Sequence, residues 1–327
     1  MTITISATDL TALCAQAART AGADHNAADS LATATVAAEQ AGKRAVGVAH
    51  LFDYLQAYRE GRIRSGVVPE IIHPASGWVI AEAHNGLAQV AFDVALPSLL
   101  AATRQGGIAA LWLRNCYTCG ELGHYPRQLA NLGFLAVACA NSPALMALGG
   151  SRGPVLGTNP LAYAVPRPGR SVFVVDQATS ETAYVNVREA ARAGEPISPG
   201  WAVGPDGVAT TDAAEALRGA LLPFGGYRGG NLALLVELLA SLAGASFSLD
   251  APPFDRGQAP PGIGVFVLCI NLDVVADGAT RLTRYLDRLH SVHGVSLPAM
   301  ADEAPTESIR LDARLHQRLL AACAEPV

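Results

Sequence analysis

Three short segments hold residue types able to cradle a phosphate-bearing ligand: LGTNP at 156–160, VVDQATS at 174–180 and PFGGYRGGNL at 223–232. Tight loops of this make-up let backbone N–H groups and hydroxyls converge on a pyrophosphate, and that points to Gly157, Thr158, Asn159, Asp176, Thr179, Ser180 and Arg228. Each segment alone is an ordinary turn. The G-x-G-x-x-G of a doubly wound dinucleotide fold is absent. Proton and thiol chemistry is concentrated in His50 and in the run RNCYTCGELGH at 114–124, which carries Cys116, Tyr117, Thr118, Cys119 and His124. Cys116-x-x-Cys119 with His124 has the outline of a metal site but lacks a fourth ligand at suitable spacing, so no metal is expected and loop or buried thiols are the default. His290 and His293, three apart, read as charge compensation at a helix end.

The elements that must position these groups follow from periodicity. Apolar residues at three- and four-residue spacing predict helices over Thr8–Ala21, Asn26–Gly42 and about Val48–Arg59, so the N-terminal lobe is helical. After the turn HPASG the pattern alternates: WVIAEA as a strand, Pro97–Gln105 as a helix, IAALWL and then FLAVACA as strands. Short apolar strands recur at Leu161–Val165, Val172–Asp176 and Gly264–Asn271, and the apolar run Leu232–Leu242 reads as a core helix. Helices near 279–290 and 308–323 are expected to return to the first lobe. The predicted division is a helical lobe of 1–75 plus 280–327 and a central sheet domain of 76–279 carrying the cofactor site.

Composition limits the partners. A chain of 327 residues, half of them hydrophobic and 16% charged, can bury a large core. Its net charge is −5, Lys43 is its only lysine and its arginines are scattered singly, which excludes a basic stripe for nucleic acid. Small anionic molecules are the expected partners. The first twenty residues lack the marks of a secretory signal, no apolar run suits a membrane span, and six dispersed cysteines read as reduced, so a cytoplasmic location is expected.

Taken together, LGTNP, DQATS and GGYRGG in that order resemble the malate/L-lactate dehydrogenase family, whose pattern runs LGTNP, DmATS and Gly-Gly-x-Lys-Gly before an apolar helix. GIAALWLRN, ISPGWAVGPDGVATTD and YLQAYREGRI extend the resemblance over nearly the whole chain. The family includes malate, lactate, sulfolactate and ureidoglycolate dehydrogenases and reductases of diketogulonate and piperideine-2-carboxylate. The resemblance implies an α/β fold with a largely antiparallel or mixed central sheet and a helical lobe, not a Rossmann fold. It also implies NAD or NADP as cofactor, a homodimer, and a substrate between the lobes. Arg228 then replaces the family's lysine, which keeps the charge and changes the geometry.

The substrate side departs from the family. Where it has Gly-x-x-Ser-His-Gly-Val-x-Arg, this chain reads GKRAVGVAH: Ala45 stands for the serine, Val46 for the histidine and His50 for the arginine. The loop histidine is replaced by Thr118, which exchanges no proton near neutral pH. Oxidising an alcohol needs a base and reducing a ketone needs an acid, whereas an iminium ion already carries its proton. The expected function is therefore NAD(P)-dependent reduction of a small anionic imine or 2-keto acid in a specialised pathway. Arg44, Tyr54 and Tyr117 are expected to place the substrate, and His50, Thr118, Cys119 and His124 are the expected catalytic positions. The alternatives are a non-redox reaction (elimination, cyclisation or condensation) with Cys119 or His124 as acid or base, and a non-catalytic homologue.

Overall fold

The computed structural model describes residues 2–151, 153–297 and 307–324. In chain order it runs β1 (Thr2–Ser6), α1 (Ala7–Thr20), α2 (His25–Gln40), α3 (Val48–Arg59), β2 (Glu70–Ile72), β3 (Trp78–Glu82), α4 (Ala88–Gly106), β4 (Ile108–Cys116), α5 (His124–Asn131), β5 (Phe134–Ala140), β6 (Leu161–Val165) and β7 (Phe173–Gln177). There follow α6 (Tyr184–Ala193), β8 (Ala202–Val203), β9 (Ala209–Thr210), α7 (Ala213–Arg218), β10 (Ala220–Leu221), α8 (Tyr227–Ser241), β11 (Ile263–Asn271), α9 (Gly278–Ser291), β12 (Ser308–Asp312) and α10 (Ala313–Ala324).

Seven strands form one mixed sheet in the order β2-β3-β4-β11-β5-β6-β7. Only β3 and β4 run parallel, joined by the crossover helix α4; every other pair is antiparallel. The central strands read as near-continuous apolar runs because both faces are covered. On one face α4 and α5 bury Ala91, Phe92, Leu99 and Leu129 against Leu111, Leu113, Ala138 and Val267. α4 begins nine residues before the expected start and carries Pro97 within it. The buried face of Ala88, Ala91, Phe92 and Ala95 outweighs the local preference for ending a helix near a proline.

On the opposite face α8 crosses β11 and β5, with Val236 packed among Trp112, Cys139 and Phe266. The expectation that Leu232–Leu242 is a core helix is corrected here. The face α8 turns inward is made of Gly229, Gly230, Ala233, Val236, Glu237, Ala240 and Ser241, small enough for close approach to the strands. Leu232, Leu234, Leu235, Leu238 and Leu242 remain 40–59% exposed.

A second core gathers α1, α2 and α3, with Leu10, Leu31, Leu51 and Leu55 buried together. Residues 308–312, expected to start a helix, form β12 and pair antiparallel with β1 from Thr2↔Asp312 to Ser6↔Ser308. α10 then packs on α1, placing Leu319 and Ala322 in this core. α9 is engaged elsewhere: its Asp287 pairs with Arg167 and Arg170 beside the β6–β7 turn. All six cysteines are free thiols. No helix among the described residues is long and apolar enough to cross a membrane.

Candidate active site

A cleft of about 550 Å3 lies where the helical core meets the sheet. Its first wall starts at the turn between α2 and α3 and includes Lys43, Arg44, Ala45, Val46, His50 and Asp53. The first turn of α3 is fixed from below by the buried Glu39, whose Oε1 accepts the Val48 N–H at 2.8 Å. Gly47 permits this contact, because a Cβ there would collide with the Glu39 carboxylate. His50 stands on that turn, one turn before Asp53, and its Nδ1 lies 2.8 Å from Asp53 Oδ2. The ring is packed edge-on between Tyr54 and Phe254, with centroids 4.9 and 6.2 Å away. Burial raises the Asp53 pKa, but the hydrogen bond and charge of His50 and the guanidiniums of Arg188 and Arg318 outweigh it and hold the group below its ordinary value.

The second wall is the loop after β4. Asn115 takes a left-handed φ of 55° and the Tyr117 N–H donates to the Gly86 carbonyl, which turns the chain towards the cleft. Thr118 and Cys119 line it. Thr118 Oγ1 donates to the Tyr54 hydroxyl at 2.6 Å, and Gln89 Nε2 donates to the same hydroxyl at 3.3 Å. Both Gln89 and the Tyr125 hydroxyl donate to the Cys119 carbonyl. Burial, with the nearby Asp176 carboxylate, pushes the Cys119 thiol up to about 12, which favours its protonated form at neutral pH.

The third wall is the sheet rim, with Ser142, Pro143, Thr158, Pro160, Asp176 and Ala178. Asp176 is the penultimate residue of β7; its Oδ2 accepts the Gly123 N–H at 2.9 Å, and its backbone carbonyl accepts from Lys43 Nζ at 2.9 Å, so one lysine spans from lobe to sheet. Burial, opposed by the Gly123 hydrogen bond, leaves the Asp176 carboxyl above its ordinary value. The Thr158 carbonyl accepts from both the amide and the hydroxyl of Thr179 at 2.9 Å. Asn159 is fully buried at φ 34°, and its Nδ2 donates to the Ala233 carbonyl and to Glu237 Oε2. Glu237, inside α8, also accepts from Asn141 Nδ2 and from the amide and hydroxyl of Ser248. The rim loop is thus held by a buried polar buttress.

Of the expected site residues, the structure brings Arg44, His50, Thr118, Cys119, Thr158 and Asp176 together at the cleft. Gly157, Asn159, Thr179 and Ser180 lie behind its surface; Ser180 Oγ donates to the Thr182 carbonyl. Tyr54 stands one hydrogen bond back, behind Thr118. Tyr117 and His124, expected in the site, are not in it. Tyr117 is fully buried and donates to the Phe254 carbonyl, with Arg62 donating to both, so it anchors the loop that carries Phe254. His124 is 4% exposed between Phe92 and Tyr125, beside Gln128, and burial lowers its pKa to about 4. It is a neutral packing residue, and the apolar α5–sheet contact accounts for its removal from the cleft. Arg228 is exposed beside the Tyr227 ring and lines no part of the cleft.

Sequence reasoning missed Asp53, Phe254 and Arg188. The His50–Asp53 pair was signalled by its i, i+3 spacing on a predicted helix. Arg188 sits on α6, which the sequence reading passed over, with Tyr184 and Val185 beside it in the cleft lining.

A mixed sheet with one parallel pair, a helical lobe against its rim and a cleft between them make an α/β architecture outside the doubly wound class. The chain belongs to the malate/L-lactate dehydrogenase family, whose profile matches residues 5–305. It is 33% identical to a Delta(1)-pyrroline-2-carboxylate reductase of Ancylobacter novellus, across 91% of this chain and 89% of that protein. A Delta(1)-pyrroline-2-carboxylate reductase of Pseudomonas fluorescens is 40% identical across 69% of this chain and 68% of the relative. The crystal structure of delta1-piperideine-2-carboxylate reductase from Pseudomonas syringae superposes with a TM-score of 0.89 at 30% identity, covering 98% of this chain and 99% of that one. The expected family and the expected mixed α/β fold both hold.

Proposed function

We propose that the protein reduces a small cyclic imine carboxylate, of the Delta(1)-pyrroline-2-carboxylate or piperideine-2-carboxylate kind, with NADH or NADPH. The observation that carries this is the composition of the cleft: its one imidazole is His50, and the loop position that bears the family's histidine is the proton-inert Thr118. Both relatives quoted above are named as reductases of such an imine. The rim fits a dinucleotide, since Thr158, Ser142 and Asp176 offer polar contacts beside the apolar shelf of Pro143, Pro160 and Ala178. A nicotinamide held there supplies the hydride for the imine carbon. Asp53 orients His50 through Nδ1 and leaves Nε2 to face a ligand or hold a proton beside the ring nitrogen. Phe254 covers that side of the cleft and excludes water. The six free thiols suit a reducing compartment, the cytoplasm.

A homodimer is part of the same reading. The exposed leucines of α8, with Phe247 and Leu249 at 49% and 68% exposure, make an apolar face of the kind two copies cover mutually. The test is an assay of cofactor oxidation with both imines, pyruvate and oxaloacetate. Imine turnover at least a hundredfold above keto-acid turnover is expected, from protein that sediments at twice the chain mass. Preference for a keto acid, or oxidation of malate or lactate at comparable rates, overturns the substrate assignment.

A further inference from the structure

A reductase for an amino-acid-like imine must hold the substrate's carboxylate while leaving the reacting carbon open. The family's early arginine is His50 here, and His50 is already committed to Asp53. The remaining cations near the cleft are unequal. Lys43 donates to the Asp176 carbonyl, Arg127 lies outside the lining and is paired with Glu121, which lines the cleft, and Arg44 is exposed on the turn before α3. Arg188 differs from all of these. It lines the cleft from α6, its Nε is buried, and that N–H donates to no group among the described residues. An unpaired buried guanidinium N–H is costly, and an anionic ligand is the partner that offsets it.

Position on the helix supports this. Tyr184, Val185 and Arg188 share one side of α6, three and four residues apart, and all three line the cleft. Val187 is buried in the small core formed with Ile197, Ala213 and Leu221, so the helix is anchored from behind. The Arg188 guanidinium is near enough to influence the Asp53 carboxylate electrostatically, which places its charge on the His50 side of the cleft.

We infer that Arg188 binds the carboxylate of the substrate, taking over from α6 the task that the family's early arginine performs. His50 is thereby freed for the ring nitrogen. The assignment rests on the reductase reading only for the identity of the anion. Guanidinium and carboxylate match as a two-pronged, charge-assisted pair, and a lysine at 188 would keep the charge without the fork.

The test compares binding of pyrrole-2-carboxylate, a planar and unreactive stand-in, with pyrrole-2-carboxamide by calorimetry in the presence of NADPH. Wild type should prefer the acid at least tenfold. R188Q should weaken the acid tenfold or more, leave the amide unchanged and leave NADPH affinity unchanged, while R188K should recover part of the preference. In turnover with Delta(1)-pyrroline-2-carboxylate, R188Q should raise KM more than it lowers kcat. R188Q that binds acid and amide as wild type does, or that loses NADPH instead and so reports a cofactor phosphate contact, overturns the assignment. So does a wild type that fails to discriminate acid from amide. If wild type discriminates through Arg188 yet reduces no imine, the carboxylate site stands and the imine-reductase reading falls. Melting curves of R188Q and R188K establish that each is folded before binding is compared.

Discussion

The two sides of the cleft are built on different principles. On the sheet rim, ligand-facing positions are set by backbone: Asn159 is held at positive φ, Gly157 packs without room for a side chain, and Glu237 collects donors from Asn141, Asn159 and Ser248. On the helical side, α3 is secured by Val48, Leu51 and Leu55 facing its core, and the cleft-facing residues are side chains on an already stable frame. Exchanging those side chains leaves the frame untouched, whereas changing the rim's wording breaks its geometry. This is why the LGTNP and DQATS wording persists here while the family's serine, histidine and arginine have become Ala45, Val46 and His50.

The sharpest way to break that contrast is a matched pair of single-atom-scale changes. A Cβ at Gly157 would stand 2.7 Å from the Ser142 carbonyl oxygen and 2.6 Å from Asn159 Oδ1, so Gly157→Ala must shift the rim. Overpacking of this kind costs about 1–3 kcal/mol, and cofactor affinity, measured by fluorescence titration, should fall at least tenfold. Ala45→Ser on the exposed turn should leave stability within about 0.5 kcal/mol and cofactor affinity as it was. Equal effects from the two would show that the walls are not built differently.

A second effect, of comparable size but confined to acid, separates His124 from His50. The folded chain holds His124 neutral down to about pH 4, while the unfolded chain protonates it near 6.5. Between those values the unfolded state binds one proton more, so this contribution is complete above about 6.5 and lost as pH falls to about 4. At about 1.36 kcal/mol per pH unit the loss is on the order of 3 kcal/mol. His124→Gln should flatten that part of a denaturation-versus-pH series and leave imine KM unchanged. A change in KM would return His124 to the site.

The smallest expected effect concerns Thr118. Thr118→Val removes the donor to the Tyr54 hydroxyl and should cost about 1 kcal/mol of stability, with kcat for the imine lowered less than tenfold because no proton passes through this residue. A drop of a hundredfold or more would place Thr118 against the reacting atoms.

Much of this arrangement was legible in the residues. Helix α3 and the central strands follow from apolar periodicity, and the loop wording located Thr158 and Asp176 at the cleft. What escaped depends on partners distant in sequence. β1 and β12 are weak alone and exist because they pair across the chain. The leucines of α8 carry the same helical pattern whether they face a core or lie exposed, and periodicity cannot tell these apart. His124 and Tyr117 have types suited to chemistry, but Phe92 and Tyr125 enclose the one and Arg62 ties down the other. Arg188 was passed over because a single arginine on a short helix is ordinary until its surroundings are known.

The ribbon of β1 and β12 also sets an order of events during synthesis. Ile309, Leu311, Leu319 and Ala322 belong to the core that holds α3, and Cys323 donates to the Leu13 carbonyl across 310 residues. Residues 308–323 must therefore leave the ribosome before the helical core can be completed, while the strands up to β11 are already available to pair. During that interval the helical core that carries the turn bearing His50 lacks Ile309, Leu311, Leu319 and Ala322. A chain released only as far as β11 holds every strand of the sheet rim but not the residues that complete the core behind His50.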